Sequence, residues 1–291
     1  MLKIIEHAKI WITLSLIFIV VGLGFMFTRG LNFGIDFKGG TQVVFDFGKE
    51  FDKQKADEIV KKYDKDAITN TVNSTQYEIK SPNLPSKEVN EIYDQFKKDF
   101  KIGDKALVSQ NEIGASVGKE LTDKAIIAIG IAFVCMLIYI AIRFEIRFGI
   151  AALVALIHDI LVTLSFYAIF NITVNSPFIA AILTVVGYSI NDTIVIFDRI
   201  RENSKIMRRS SPTEIADKSL TQTMSRSINT TITTLITIVA VNIFVPTVRE
   251  FSLPLIIGIA TGAYSSIFIA SPLWVALQKR RNNNKKQKHN L

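Results

Sequence analysis

Six long apolar runs restrict what this chain can fold into. They occupy residues 10–28, 125–142, 148–170, 177–197, 228–246 and 253–275. A run of about 18–23 residues crosses a hydrocarbon layer of ~30 Å as a helix, because each residue adds 1.5 Å. Only 21% of the residues are charged, against about 25% in an average soluble domain. The sequence therefore predicts a polytopic α-helical membrane protein with six transmembrane helices.

The first run differs from a secretory signal peptide. Lys3 and Lys9 precede it, as in a signal peptide, but the run is longer than the 7–15 residues of a signal core. It also ends in Phe27-Thr28-Arg29 without a small-x-small cleavage site. We expect residues 1–28 to form a cytoplasmic N-terminus and an uncleaved first span.

Basic residues in the short connections predict the orientation. With the N-terminus inside, the inner segments carry 17 Lys and Arg, while the outer loops 171–176 and 247–252 carry only Arg249. The positive-inside rule then places both termini, the loop 198–227 and the basic tail 276–291 in the cytoplasm of a cell whose inner or plasma membrane holds the protein. The net charge of +8 follows from this topology and the anionic inner leaflet, so no nucleic-acid partner is predicted.

Residues 29–123 are expected to form a domain outside the membrane, between spans one and two. They carry 15 basic and 17 acidic residues and lack long apolar runs. Alternation predicts strands, and apolar spacing of three and four predicts helices. The predicted strands are 41–47, 67–73, 75–81 and 106–114, and the predicted helices are 52–63 and 86–100. The order βαββαβ is that of a ferredoxin-like domain.

An acid within span four is the strongest candidate for chemistry. Asp192, next to Asn191, lies about five residues from the inner end of the run, or roughly 8 Å deep. A charge at the centre of a spanning helix costs ~2.5–3.5 kcal/mol, so such residues face a bundle interior or a hydrated cavity. Because burial favours the neutral acid and a nearby cation favours the carboxylate, an acid there can load and release a proton. A structural contact between helices is the alternative interpretation.

Arg226, at the start of span five, is the candidate cation. Its side chain can turn inward to Asp192 or outward to the headgroups. With Thr230, Thr233 and Thr237 it forms a polar stripe at spacings of four, seven and eleven residues. Such a stripe either packs helices through hydroxyl hydrogen bonds or lines a hydrated path, and the sequence leaves both open.

A second, weaker relay candidate is the pair His158-Asp159 near the middle of span three. Neighbours on a helix point about 100° apart, so we expect the two side chains to face different directions. In span six, Gly258, Gly262 and Ser266 form a small-xxx-small face, which predicts close helix packing. The chain has one cysteine, Cys135, so no internal disulfide is predicted, nor any metal or other cofactor.

The loop 198–227 and the segment after span one have structural interpretations. Ser211, Pro212 and Glu214 form a capping box that predicts a short helix at the inner membrane surface, leading into span five. After span one, "GIDFKGGT" (34–41) contains Gly34, Asp36, Gly39 and Gly40. The paired glycines permit a tight turn, so this segment is expected to be a hinge.

Three motifs together resemble the SecF members of the SecD/SecF family of bacterial protein-export proteins. They are "GIDFKGGT" after span one, "VGYSINDTIVIFDRIREN" (186–203) in span four and "SLTQTMSRSINTT" (219–231) entering span five. The resemblance covers essentially the whole chain. It implies that the six spans correspond to half of the twelve-span bundle of resistance-nodulation-division transporters. The last five of these spans are expected within residues 124–275.

The resemblance implies a function that spacing alone does not. SecF members act with SecD and use the proton motive force to assist unfolded preproteins through the SecYEG translocon, with YajC- or YidC-type factors as further associates. The family's transport aspartate and arginine match Asp192 and Arg226. Because this chain has only the SecF half, its proton path is expected to be incomplete without SecD. It is not expected to be an enzyme.

Three other functional classes differ from this one in what they require of the sequence. A small-molecule or lipid exporter needs a second homologous half and a larger outer domain. An intramembrane aspartyl protease using Asp159 and Asp192 needs a GxGD-type context, but Ser189-Ile190-Asn191 precedes Asp192. In a passive translocon scaffold, Asp192 would only join helices. Such a scaffold would keep its function when the proton gradient is collapsed, and this distinguishes it from a proton-driven subunit.

Overall fold

The structure, a computed structural model, describes residues 3–72, 74–143 and 145–289, without the side chains of 115, 141, 143 and 283–289. The predicted turn residue Asn73 lies outside the described residues. The elements in chain order are α1 (Ala8–Arg29), α2 (Ile35–Lys38), β1 (Gly40–Asp46), α3 (Lys53–Val60), β2 (Ile68–Val72), β3 (Gln76–Ser81), α4 (Ser86–Phe100), β4 (Leu107–Ile113), α5 (Ala115–Arg143), α6 (Ile146–Ile169), α7 (Ser176–Ile206), α8 (Pro212–Phe244), α9 (Arg249–Ser265) and α10 (Ser271–His289).

The prediction of six spans is confirmed: within the described residues, six helices are long and apolar enough to cross a membrane. The sixth combines α9 and α10, joined by a π-helical turn at Ser266–Ala270. Half or more of the apolar stretch is buried in spans three, four and six, against 11% or less in spans one, two and five. Spans three, four and six therefore form the centre of the bundle, and the others leave broad apolar faces uncovered.

The fifth span differs from the prediction. Ser211 accepts the Glu214 N–H and the Glu214 side chain accepts the Ser211 N–H, so the predicted capping box is present. The helix it starts is continuous from Pro212 to Phe244, however, and the prediction of a separate surface helix is wrong. Ala216 and Leu220 are completely buried in the main core of the bundle. The apolar stripe of this segment packs on protein, which is why the helix continues without a break.

Close packing between spans four and six rests on the small residues of span six. A Cβ added at Gly258 would lie 2.3 Å from Val185 Cγ2, and one at Gly262 would lie 3.0 Å from Ser189 Cβ. Ser266 Oγ is 2.6 Å from Thr193 Oγ1. The predicted small-residue face is confirmed, and α7 is the helix that it contacts.

This packing predicts the effect of adding one methyl group. Gly258→Ala should lower the free energy of unfolding by about 1–3 kcal/mol, because the methyl overlaps a branched side chain in a packed core. Gly130→Ala in span two is the matched control, since an added Cβ there meets nothing within 4 Å. Thermal unfolding of the purified protein in detergent measures both, and equal midpoints for the two variants would contradict the packing.

The outer domain is a four-stranded antiparallel sheet with strand order β2-β3-β1-β4. Helices α3 and α4 cover one face, with Val43, Phe45 and Ile79 fully buried beneath them. The element order and strand order are those of the predicted ferredoxin-like βαββαβ domain. The opposite face of the sheet turns toward the outer end of the bundle.

The segment "GIDFKGGT" joins the outer domain to the bundle. Asp36 Oδ2 accepts a 2.7 Å hydrogen bond from the backbone N–H of Ser176, at the start of α7. Gly40, with φ of +145°, passes so close to β3 that a Cβ would lie 2.4 Å from the Ser81 carbonyl oxygen. A Cβ on Gly118 of α5 would lie 2.5 Å from the Phe37 carbonyl oxygen. The segment is therefore a packed junction, more constrained than the predicted hinge.

A second connection joins β3 to span six. The Lys80 ammonium donates to Glu250 and lies 3.7 Å from Glu78 Oε1. Burial by itself lowers the pKa of Lys80, but the hydrogen bond and charge of Glu250 more than offset this and raise it overall. The ammonium is thus held charged between the sheet and the start of α9.

The hydrogen bond from the Ser176 N–H to Asp36 predicts that removing the Asp36 carboxylate lowers the stability of the protein. Asp36→Ala leaves the Ser176 N–H without its acceptor and should lower the free energy of unfolding by about 0.5–2 kcal/mol, as for other helix N-caps. Asp123→Ala, at an exposed position of α5, is the control. Thermal unfolding of both variants tests the cap, and a midpoint for Asp36→Ala as high as that of the control would refute it.

Candidate functional site

Asp192 lies inside the bundle between spans four and five. Its side chain is only 8% exposed. Ser227 Oγ donates a 2.9 Å hydrogen bond to Oδ1, while Oδ2 is buried and has no hydrogen-bond partner. A buried carboxylate oxygen without a donor is costly as an anion. A proton on Oδ2 removes that cost, so the geometry suits a carboxyl group that exchanges a proton.

Arg226 stands beside this site without binding it. Among the described residues, no hydrogen bond or ion pair joins its guanidinium to Asp192, and the side chain is exposed. The residue after it, Ser227, turns inward and is 1% exposed. Charge at Arg226 therefore acts on Asp192 through space in this conformation, and the direct hydrogen bond comes from serine.

The polar stripe of span five faces away from the bundle. Thr230, Thr233 and Thr237 are exposed, and each hydroxyl donates to a carbonyl of its own helix. Asn229 is exposed beside them. Threonine hydroxyls satisfied within the helix tolerate hydrocarbon, and a long arginine side chain can reach the headgroups, whereas an exposed asparagine within an apolar run is costly there. The stripe is a surface of α8 that this chain leaves uncovered.

His158 and Asp159 form a second buried group. Both side chains turn into the bundle, and His158 Nδ1 lies 3.1 Å from Asp159 Oδ1, so the expectation that they face different directions is wrong. Asp159 Oδ2 accepts hydrogen bonds from Ser189 Oγ at 2.6 Å and Ser265 Oγ at 2.9 Å. This completely buried acid therefore joins spans three, four and six.

The two acids occupy separate sites. Within the part of the chain that the structure describes, no hydrogen bond joins Asp159 to Asp192, and their partners differ. A paired-carboxylate site of the protease kind is not formed. Asn191 is exposed on the other side of α7, so it is not brought into either group.

Several residues of these sites escaped the sequence interpretation. They are serines and threonines that look unremarkable in apolar helices: Ser189, Thr193, Ser227 and Ser265. No local spacing indicates Ser189, because its partner Asp159 lies 30 residues earlier, on span three. No group of three or more His, Cys, Asp or Glu side chains suited to a metal ion occurs among the described residues.

The chain matches two family models. One, described as protein export membrane protein SecD/SecF, C-terminal, matches residues 92–280, and the other, the SecD/SecF GG motif, matches residues 24–50. The second match contains Gly39 and Gly40 of the junction, and the first contains both buried acids.

Similar proteins agree with these matches. A protein translocase subunit SecF from Sebaldella termitidis is 37% identical, and the match covers 99% of this chain and 96% of that protein. SecF from Haemophilus influenzae is also 37% identical, over 94% of this chain and 86% of its own.

A crystal structure of SecDF, a translocon-associated membrane protein from Thermus thermophilus, superposes with a TM-score of 0.83 at 31% identity. The match covers 96% of this chain and 39% of that longer one. A family model that covers more than half of the chain, together with near full-length relatives, fixes the assignment. This chain belongs to the SecD/SecF family of protein export membrane proteins.

Proposed function

We propose that this protein acts with SecD as a proton-driven subunit that assists preprotein translocation through SecYEG and release on the outer side. The observation that carries the proposal is Asp192, a buried carboxyl group with one oxygen bound to Ser227 and the other without a donor. Proton binding and release there changes the number of hydrogen bonds that the carboxyl can make between spans four and five. The family relationship supplies the direction of transport.

The uncovered stripe on α8 supports a partner within the membrane. Arg226, Asn229 and Thr233 are exposed in this chain, and polar residues at membrane depth normally face protein or a hydrated cavity. The SecDF relative is a longer chain of which this one spans about two fifths. In our proposal the SecD bundle covers the stripe, and protons pass from the outer side along the interface to Asp192.

The charge balance of the site gives the proposed cycle. The Arg226 guanidinium, close to Asp192, favours the carboxylate, and protonation removes that attraction. A potential of 100 mV supplies ~2.3 kcal/mol per charge moved across the membrane, enough to bias an equilibrium between two helix arrangements. Spans four and five would then shift with each proton that passes.

Helix α7 offers a route from the proton site to the outer domain. It carries Asp192 near its middle and is held at its outer end by Asp36, which lies just before β1. A rigid helix transmits displacement along its axis. Movement of span four would therefore act directly on the junction and reposition the outer domain that contacts the emerging polypeptide.

The proposed setting is the inner or plasma membrane with both termini in the cytoplasm, YajC- or YidC-type factors being possible associates of the same complex. The 17 basic residues of the inner segments support this orientation through the positive-inside rule. It places the sheet domain outside, where an exported chain emerges.

Replacing the acid by its neutral isostere tests the proton role. Asp192→Asn keeps an oxygen for Ser227 but cannot exchange a proton, so proton-dependent stimulation of export should fall to the level without a gradient. Asp198→Asn, at the inner end of the same helix, is the control and should stimulate normally. Export into inverted vesicles containing the full complex, with and without ionophore, measures both.

Stimulation by Asp192→Asn that still collapses with ionophore would refute the assignment. Retained assembly with SecD, checked by co-purification, excludes a folding defect as the cause of any loss. If export were stimulated equally with and without a gradient in the unmodified protein, the complex would be a passive scaffold.

The partner surface has its own test. A cysteine at Thr233, in a chain carrying Cys135→Ser, should form cross-links to SecD, because this exposed residue lies within the stripe. Ile131→Cys in span two, 59% exposed, is the control for lipid-facing positions. Cross-linking at Ile131 and not at Thr233 would place the partner on a different face.

A further inference from the structure

A large polar cleft lies between the outer domain and the bundle. It encloses about 1300 Å³ and is open to one side. One wall is the uncovered face of the sheet, including Gln42, Glu78 and Lys80, and the opposite wall is formed by the outer ends of the spans, including Asn32 and Thr173. Neither Asp192 nor Ser227 is among its lining residues, so this cleft is a separate feature.

The residues that each strand contributes to the cleft show whether the strand lines it with one face or with its edge. Strand β3 contributes Glu78 and Lys80 but not Ile79 between them, as expected for one face of a strand. Strand β2 contributes all five of its residues, Ile68–Val72. Consecutive residues line a cavity only when the strand presents its edge. The backbone N–H and C=O groups along the outer side of β2 therefore border the cleft.

Strand β2 is an open edge. It pairs with β3 on one side and is the terminal strand of the sheet. Proteins normally protect such edges with proline, charged side chains or bulges. The β2 sequence Ile-Thr-Asn-Thr-Val contains neither proline nor a charged residue. The irregularity in the strand pairing of this sheet lies between β1 and β4, at Val44/Phe45, and not in β2. The edge that borders the cleft is thus left free to pair.

The remaining lining mixes charged and neutral hydrogen-bonding side chains, and several of the charges already have partners within the protein. The Lys80 ammonium is already bound to Glu250, and Asp36 is occupied by the Ser176 N–H. Arg249 donates to two backbone carbonyls of span five, and Lys53 is paired with Asp57. Amide and hydroxyl side chains such as Asn70 and Thr173 line the cleft among these charges and those of Arg29, Lys38 and Asp66. Thr69 is held on the helix side of β2 by a 2.6 Å hydrogen bond to Asp57, which fixes the edge in place.

We propose that β2 binds an extended segment of unfolded polypeptide as an added fifth strand within this cleft. Main-chain hydrogen bonds give such strand addition its affinity. An edge without charged residues accepts segments of differing sequence, which an export system requires. Five residues of strand span about 17 Å, so one short stretch of the passing chain would be held at a time. This inference rests on the proposed export function and adds the binding mode.

Disulfide cross-linking tests the geometry in the assembled complex. The chain carries Asn70→Cys and Cys135→Ser, and the probe is a translocation-arrested preprotein with single cysteines at five successive positions. Side chains alternate along a strand, so cross-linking yield should alternate with period two, differing by about threefold between neighbouring positions. Asn90→Cys, exposed on α4 at the other face of the domain, is the matched control and should give low yields without alternation.

The outcomes separate this inference from the proton mechanism. The experiment uses a preprotein that is already arrested in the complex, with an ionophore present, so it does not depend on proton exchange at Asp192. Equal yields at successive positions, or none, would overturn strand addition even if Asp192→Asn abolishes proton-dependent stimulation. A cross-link from Asn70→Cys to SecD, or to a second copy of this chain, in place of the preprotein would also overturn it, because another protein would then occupy the edge.

Discussion

Hydrogen bonding of carboxyl groups in a hydrocarbon environment determines how this bundle is built. Hydrocarbon offers no hydrogen-bond partners, so a buried oxygen of Asp159 or Asp192 is costly as an anion unless it finds a donor or carries a proton. Asp159 obtains donors from two serines and contacts the neighbouring histidine. Asp192 obtains a single donor, Ser227. The fully bonded acid fastens the three central spans, and the incompletely bonded acid is the one suited to change its state.

The two acids act on the same helix from different sides. Ser189, which binds Asp159, and Asp192 lie one turn apart on α7, between the fixed centre of the bundle and the fifth span. At its outer end the same helix is capped by Asp36 from the junction. A change at Asp192 therefore occurs on an element that is packed against span six and tied to the outer domain. This connection links Asp192 structurally to the domain between spans one and two.

Sequence patterns predicted the parts of the structure that depend on local or repeated signals. Apolar run length predicted the spans, alternation predicted the sheet, and the capping box at Ser211 marked the start of α8. The small residues at 258, 262 and 266 predicted a close helix contact but not its partner. The free-energy cost of placing a charged side chain within a membrane span was the signal that indicated Asp192, since few other side chains at that depth are ionisable.

Contacts between distant segments could not be predicted in the same way. Periodicity does not indicate that Ser227 rather than Arg226 faces Asp192, because adjacent residues of a helix differ only in direction. Nor does it show that Asp36 caps a helix 140 residues further along the chain. The 100° offset between neighbours predicts different directions for His158 and Asp159, yet flexible side chains on one wide buried face can meet. These features arise from tertiary packing.

The most direct measurement is infrared difference spectroscopy of the complex with SecD, reconstituted in membranes and titrated with pH. The account predicts a protonated-carboxyl stretching band that appears and disappears within the physiological range and is missing in Asp192→Asn. A spectrum in which that band stays constant across this range, or titrates equally in the variant, would contradict it.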